Sequence, residues 1–237
     1  MVSSFIKKIL SQFKKLEDFN IVYENATRKF VFDSQKNNLI IIIGPSSAGK
    51  STLAEYLIKQ GFYKVRTFTT RPNTRKDNIN DDYIRPDTDK IDINDSNVIN
   101  QLIREYGLLE YNIHAGSLYG TPKNELMNAI KNHQNSILVC ENNGARSIYN
   151  ALRNECNLLV IFIIPDSLNQ IKRRMKMAGK NNITSRLLTA KREILDARNI
   201  AHFVIHFSES VKVPNNDTLG YSIQNTYQFI KYILKLN

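Results

Sequence analysis

Two hydrophobic periods run through this chain. Phe5, Ile6, Ile9, Leu10, Phe13 and Leu16 recur three to four residues apart, with Lys7, Lys8, Lys14 and Lys15 between them, which predicts an amphipathic basic helix over residues 1 to 20. "NIVYENATRKFVFD" (20–33) holds two short β-prone runs around an Asn-Ala turn and reads as a hairpin. "LIIIIG" (39–44) is continuous and β-branched, the pattern of a strand buried on both faces, and residues 50 to 60 return to helical spacing. "NSILVCEN" and "NLLVIFIIP" are two further buried strands, and "AHFVIHF" is a late one. "DSLNQIKRRMKMAG" and "TSRLLTAKREILDARN" predict helices flanking a polar break at Lys180 to Asn182, and "YSIQNTYQFIKYILKL" predicts a closing amphipathic helix. Strands alternating with helices point to a parallel sheet covered on both faces. Residues 66 to 123 interrupt that alternation with clusters of Pro, Asn and Asp, and read as an inserted subdomain or a set of loops.

Composition narrows the class without choosing a function. At 42% apolar and 23% charged residues, the 237-residue chain has ordinary globular composition, and no apolar run approaches a bilayer span of about 18 residues. The N-terminal segment lacks the pattern of a cleavable leader, and Cys140 and Cys156 have no metal-ligand spacing, so the expectation is a reduced, cytoplasmic protein. The net charge of +11 is spread over scattered lysines, with no nucleic-acid-binding motif, so neither a nucleic acid nor a membrane is the expected partner.

Candidate chemistry begins directly after the first buried strand. Gly44-Pro45-Ser46-Ser47-Ala48-Gly49-Lys50-Ser51, followed by Thr52, fits G-x-x-x-x-G-K-[ST] between a strand and a helix. Glycines let backbone N–H groups turn inward around phosphates, and the helix N-terminus adds a positive dipole. Lys50 is placed to reach the β- and γ-phosphates of ATP, and the Ser51 hydroxyl to ligate Mg²⁺.

With "TFTTRPNTRKDNINDDY" (67–83), "LLEYNIHAGSLYGTPK" (108–123), "NNGAR" and "IFIIPDSLNQIKRR" added in order, residues 39 to 235 resemble the guanylate kinase family. The resemblance implies an α/β P-loop NTPase fold: a parallel sheet flanked by helices, a nucleotide-monophosphate-binding subdomain over about 66–123, and a lid over about 175–185. Residues 1–38 form an extension outside it. It implies Mg²⁺-dependent phosphoryl transfer from ATP to GMP or dGMP by a monomer or homodimer. Thr67, Arg71, Tyr83, Glu110, Tyr119 and Thr121 match the family's GMP-binding positions. Arg71 and the two tyrosines fall at the acceptor phosphate, and Glu110 falls at the guanine edge, where a carboxylate can accept from N1–H and N2–H together. Arg174 and Arg186 match two lid arginines that neutralise the transferring phosphoryl group.

The chain also departs from that pattern. The second phosphate-binding arginine falls at Thr74, with Arg75 beside it as a substitute. An Asp-x-Asp at the end of a strand is replaced by Val139 and Glu141, of which Glu141 keeps an acidic role. A third lid arginine falls at Ala178, where Lys176 or Lys180 can compensate in charge but not in planar geometry. The expected result is weakened rather than abolished catalysis. Two other readings stand beside this one: a P-loop kinase of a small phosphorylated sugar such as ribose bisphosphate, because "IHAGSLYG" is similar to a stretch in those kinases, and a non-catalytic guanylate-kinase-like binding module. The N-terminal helix is expected to dock its Phe5, Ile9 and Phe13 face on the domain or on a second subunit.

Overall fold

The computed structural model describes residues 7, 8, 11, 14, 15, 22–25, 28–72, 83–87, 91–114, 116–207 and 218–236. Its centre is the isoleucine run. Strand β3 (Asn38–Ile43) lies between β9 (Asn135–Val139) and β10 (Asn157–Pro165), and both neighbours run parallel to it. Strands β4 (Tyr63–Lys64) and β11 (Phe203–Phe207) extend the sheet in parallel on either side. β2 (Val22–Glu24) joins β11 antiparallel, and β1 (Lys14–Lys15) pairs antiparallel with β2 to finish that edge.

Alternation explains why the central strands carry no polar face. Ile40 and Ile42 pack with Leu53 and Leu57 of α1 (Lys50–Lys59) and with Phe229 and Ile230 of α7 (Thr218–Leu234). Leu39, Ile41 and Ile43 point the other way, onto α3 (Lys123–Asn132), α4 (Asn142–Leu152), α5 (Leu168–Met177) and α6 (Ile183–Ile200) through Leu126, Ile148, Ile171 and Ile194. All five of these strand residues are fully buried, and each such side chain contributes roughly 1.5–3 kcal/mol. An open parallel sheet presents its ligand crevice at the carboxyl ends of the strands, where connections diverge to either side. Here that place is the end of β3, with β9 on one side and β10 on the other.

The polar middle of the chain folds into a second sheet in the order β6-β5-β8-β7, made of β5 (Thr67–Thr69), β6 (Tyr83–Ile84), β7 (Leu108–His114) and β8 (Ser117–Pro122). One face is apolar: Phe68, Leu108 and Leu118 pack with Leu102 of α2 (Ser96–Glu105). Asp95 caps α2 by accepting from the Asn97 N–H at 2.8 Å. The registers Thr67↔Tyr83, Thr69↔Tyr119, Thr121↔Glu110, Asn112↔Tyr119 and His114↔Ser117 put all these polar residues on the opposite face. The Arg66 fork on Glu125 (2.8 and 3.2 Å) ties the start of this sheet to α3.

Two expectations about the N-terminal region are corrected. Lys7 and Lys8 are helical, but Lys14 and Lys15 form a strand, so one helix does not run from 1 to 20; Phe5, Ile9 and Phe13 lie outside the described residues. Residues 20–33 do not form a hairpin on themselves either. Val22–Glu24 instead pairs with β1 and β11, and 28–33 carry no strand. Side-chain anchors replace the ladder: Arg28 donates to the Ile200 carbonyl at 2.5 Å, Asn25 donates to the Ala201 carbonyl at 3.0 Å, and the Asp33 N–H donates to Asn157 Oδ1 at 2.8 Å. The first two bonds satisfy carbonyls at the end of α6, which no longer have helical partners of their own.

Candidate active site

The site is divided between a loop at the crevice end of the first sheet, the polar face of the second sheet and two helices. The loop between β3 and α1 turns through Gly44, Ser47 and Gly49, with φ of 139°, 67° and 113°. At Gly44 a Cβ would lie 2.5 Å from the Ile163 carbonyl oxygen, so glycine is required there both by backbone conformation and by space. The Ala48 N–H bonds back to the Pro45 carbonyl at 3.1 Å, and Ser46 is half-buried. Lys50 opens α1 and folds back over the loop, donating to the carbonyls of Gly44 at 2.6 Å and Pro45 at 3.0 Å. Ser51 and Thr52 follow as exposed residues in the first helical turn.

Charge around Lys50 is arranged asymmetrically. Burial lowers its pKa, while the nearby carboxylates Glu193 and Glu141 pull the other way. Burial raises Glu193 to about 7 against the opposing pull of Lys50, and Glu141 adds to the rise. Glu193 was not singled out from sequence, because it reads there as one more charge on a helix. A carboxyl whose folded pKa lies above its unfolded value binds more protons folded than unfolded between about 4.5 and 7, so its contribution to stability falls as pH rises through that window. His202, lowered to about 3 by burial, acts in the opposite sense between about 3 and 6.5. Comparing wild type with Glu193→Gln cancels the His202 contribution. We expect the Gln variant to lose a decline on the order of 2–3 kcal/mol between pH 5 and 8, read by thermal melts; parallel curves for the two proteins would contradict this.

On the second sheet, Glu110 is largely enclosed. Its Oε1 accepts from the Thr121 hydroxyl at 2.5 Å, and its Oε2 faces Gly144 of α4 so closely that a Cβ there would lie 2.6 Å away. Burial raises its pKa, the Thr121 hydrogen bond lowers it, and Glu141 raises it further. Glu141, at the start of α4, accepts from Asn112 Nδ2 and lies 3.6 Å from His114 Nδ1. It therefore joins the end of β9 to the polar face of the second sheet. Val139 has no such role; its side chain packs on the core face shared with α1.

Tyr83, Tyr119 and Thr67 share that polar face. The guanidinium of Arg71 lies 5.5 Å from the centre of the Tyr83 ring. Arg85, which sequence reasoning passed over, lies 5.3 Å from the same ring and donates through Nε to the Arg71 carbonyl at 3.4 Å. Thr74 and Arg75 lie outside the described residues.

The two expected lid arginines reach opposite walls. Arg174 donates to the carbonyls of Ser47 and Ala48 at 3.3 Å each, directly on the glycine-rich loop. Arg186 meets His114 Nε2 at 2.8 Å and so touches the second sheet. Ala178 ends α5 with an exposed side chain, and Gly179 in the left-handed region turns the chain toward α6. Chemically, the crevice has a glycine-rich loop at one wall, a half-buried carboxylate at the other, and arginines on both. Among the described residues no cluster of three or more His, Cys, Asp or Glu could hold a metal by itself. An exposed serine hydroxyl at a helix N-terminus does suit a hard cation that takes its other oxygens from phosphates and water.

Comparison with known proteins bears on the family and the fold. A family model described as guanylate kinase matches residues 36–209. The guanylate kinase of Clostridium acetobutylicum is 33% identical over 165 residues, covering 68% of this chain and 74% of that protein. That of Thermus thermophilus is 30% identical over 176 residues, covering 72% and 74%, and that of Mycoplasma genitalium is 28% identical over 214 residues, covering 86% and 85%. In fold, the chain is similar to the crystal structure of guanylate kinase from Anaplasma phagocytophilum, with a TM-score of 0.57 at 18% identity, covering 84% of this chain and 87% of that one.

Proposed function

This chain belongs to the guanylate kinase family, and on that premise we propose that it transfers the γ-phosphoryl group of ATP to GMP, giving ADP and GDP. The observation that carries the reading is the half-buried Glu110 carboxylate, held by Thr121 on the second sheet and backed by Gly144, across the crevice from the glycine-rich loop. Guanine presents two adjacent donors to such a group; adenine lacks that pair and leaves the carboxylate oxygens unsatisfied.

The residues divide the work by position. Backbone N–H groups of residues 46–49 and the α1 N-terminus receive the donor's phosphates, and Lys50 moves from the Gly44 and Pro45 carbonyls to a phosphate oxygen when one is present. Ser51 would hold Mg²⁺ together with the phosphates of ATP, and the ion supplies neutralisation of their charge. Arg71, Tyr83 and Tyr119 bind the acceptor's phosphate, with Arg75 close after Arg71 in sequence, while Thr67 and Thr121 border the base. Arg174 and Arg186 bring positive charge to the transferring group from opposite walls. An oxygen of the GMP phosphate then attacks the γ-phosphorus in line as its bond to the β-bridging oxygen of ATP breaks, and ADP leaves. Glu141 holds Asn112 and His114 in place beside the base-reading carboxylate. Among the described residues no helix is long and apolar enough to cross a membrane. A cytoplasmic location is part of the same proposal.

A coupled assay of ADP release with GMP, dGMP, AMP and ribose bisphosphate tests the reading. Release stimulated by GMP and not by AMP is the expected result. Turnover of ribose bisphosphate would move the chain to the sugar kinases, and Mg-ATP binding without GMP-stimulated release would make it a binding module.

Gly144→Ala probes the carboxylate without touching it. An added methyl meets the far end of a flexible side chain rather than backbone, so Glu110 shifts, while the helix gains roughly 1 kcal/mol in propensity. Turnover with GMP is expected to fall roughly 10-fold or more in kcat/KM with the melting temperature unchanged or higher. A variant with unchanged kinetics would mean that Glu110 is not positioned by this contact.

A further inference from the structure

An acceptor nucleotide carries a phosphate with close to two negative charges at neutral pH, since the second ionisation of a phosphate monoester lies near pH 6. A site that binds it tightly needs about two cations with planar forks. Arg71 supplies one. Arg85 follows directly after β6, two residues beyond Tyr83, and is half-buried. Its guanidinium and that of Arg71 both lie against the Tyr83 ring, at 5.3 and 5.5 Å, and its Nε reaches the Arg71 carbonyl. Two guanidiniums held at one ring concentrate positive charge, and a dianion that bridges them gains from both. Tyr119, whose phenol is the other expected phosphate donor, lies on β8, with β5 between it and Tyr83, in register with Thr69. The two guanidiniums thus gather at Tyr83, with Tyr119 across β5 in the same sheet.

We propose that Arg85 is an acceptor-binding residue that supplies the second guanidinium to the monophosphate of the acceptor nucleotide, paired with Arg71 around Tyr83. This rests on the GMP reading above. It also assigns a task to a residue whose sequence context, "YIRPD", carries no phosphate-binding signature.

The test compares wild type with Arg85→Ala and Arg85→Lys using GMP as substrate and guanosine, which has no phosphate, as a competitive inhibitor. Arg85→Ala is expected to raise KM for GMP roughly 10- to 100-fold, as for loss of a charge-assisted fork, and to leave the guanosine inhibition constant within about twofold. Arg85→Lys should recover part of the loss, because it restores charge but not the fork. The inference is overturned if KM is unchanged in both variants, or if KM and the guanosine constant rise together, since the arginine is then a strut for the Tyr83 region. Circular dichroism and a thermal melt establish that each variant is folded, with Arg85→Lys the conservative control should Arg85→Ala be destabilised. Wild-type turnover separates the two levels. Absence of GMP-stimulated ADP release in wild type refutes the guanylate kinase reading, whereas normal wild-type turnover with an unaltered Arg85→Ala refutes only the role of Arg85.

Discussion

Lys50→Ala should abolish GMP-dependent ADP release, by a factor of about 1,000 or more, while the protein remains folded. The ammonium rests 2.6 and 3.0 Å from two carbonyls of the loop that it serves, where burial lowers its pKa and Glu193 and Glu141 raise it. Those partners occupy it in the absence of a nucleotide, and none belongs to the apolar core. The variant loses a charge aimed at phosphates and leaves the Leu53 and Leu57 packing of α1 intact. Steady-state turnover together with a thermal melt checks both halves. An active Lys50→Ala enzyme would remove the glycine-rich loop from the mechanism, and an unfolded one would show that the lysine holds the loop together.

Glu110→Gln should lower kcat/KM for GMP by about 2–4 kcal/mol. The amide replaces one acceptor oxygen with a donor that opposes a guanine N–H, in a site where Thr121 already donates to the other side at 2.5 Å and Gly144 leaves little room for the side chain to swing away. Burial matters to the size of the effect: on an exposed side chain water would replace the lost bond, and the change would be small. Kinetics with GMP and dGMP decide the matter. Unchanged values would remove Glu110 as the reader of the base and strengthen the sugar-kinase alternative.

Some of this was open to reading from the linear chain because its cause is local. The run Leu39 to Ile43 can only be a strand buried on both faces, and Gly44 to Ser51 can only cradle phosphate if a strand ends before it and a helix begins after it. The helices on either side of Lys180–Asn182 are equally local in origin: Ser167 caps the first, and the second has apolar residues at helical spacing. The second sheet was not legible in the same way. "LLEYNIH" and "SLYGTP" alternate polar and apolar positions over a few residues, a signal too short to separate from loop, and pairing with partners far along the chain gave them their form. The N-terminal segment failed for a related reason. Its apolar spacing favours a helix in isolation, but the exposed edge of β11 offers a ladder to Val22–Glu24, which in turn offers one to Lys14–Lys15.

Sequence alone therefore determined the parallel α/β core, the glycine-rich loop and the resemblance that singles out Arg71, Glu110, Arg174 and Arg186, since each depends on neighbours within one element or on a pattern of residues in order. Tertiary structure alone decided that Arg85 joins Arg71 at one tyrosine, that Gly144 and Thr121 fix the Glu110 carboxylate, and that Glu193 faces Lys50 with its pKa pushed up to about 7. The physical reason is desolvation and register. A charged side chain has no particular partner or pKa until folding removes its water and sets another residue against it, and the residues that meet here come from different strands, loops and helices.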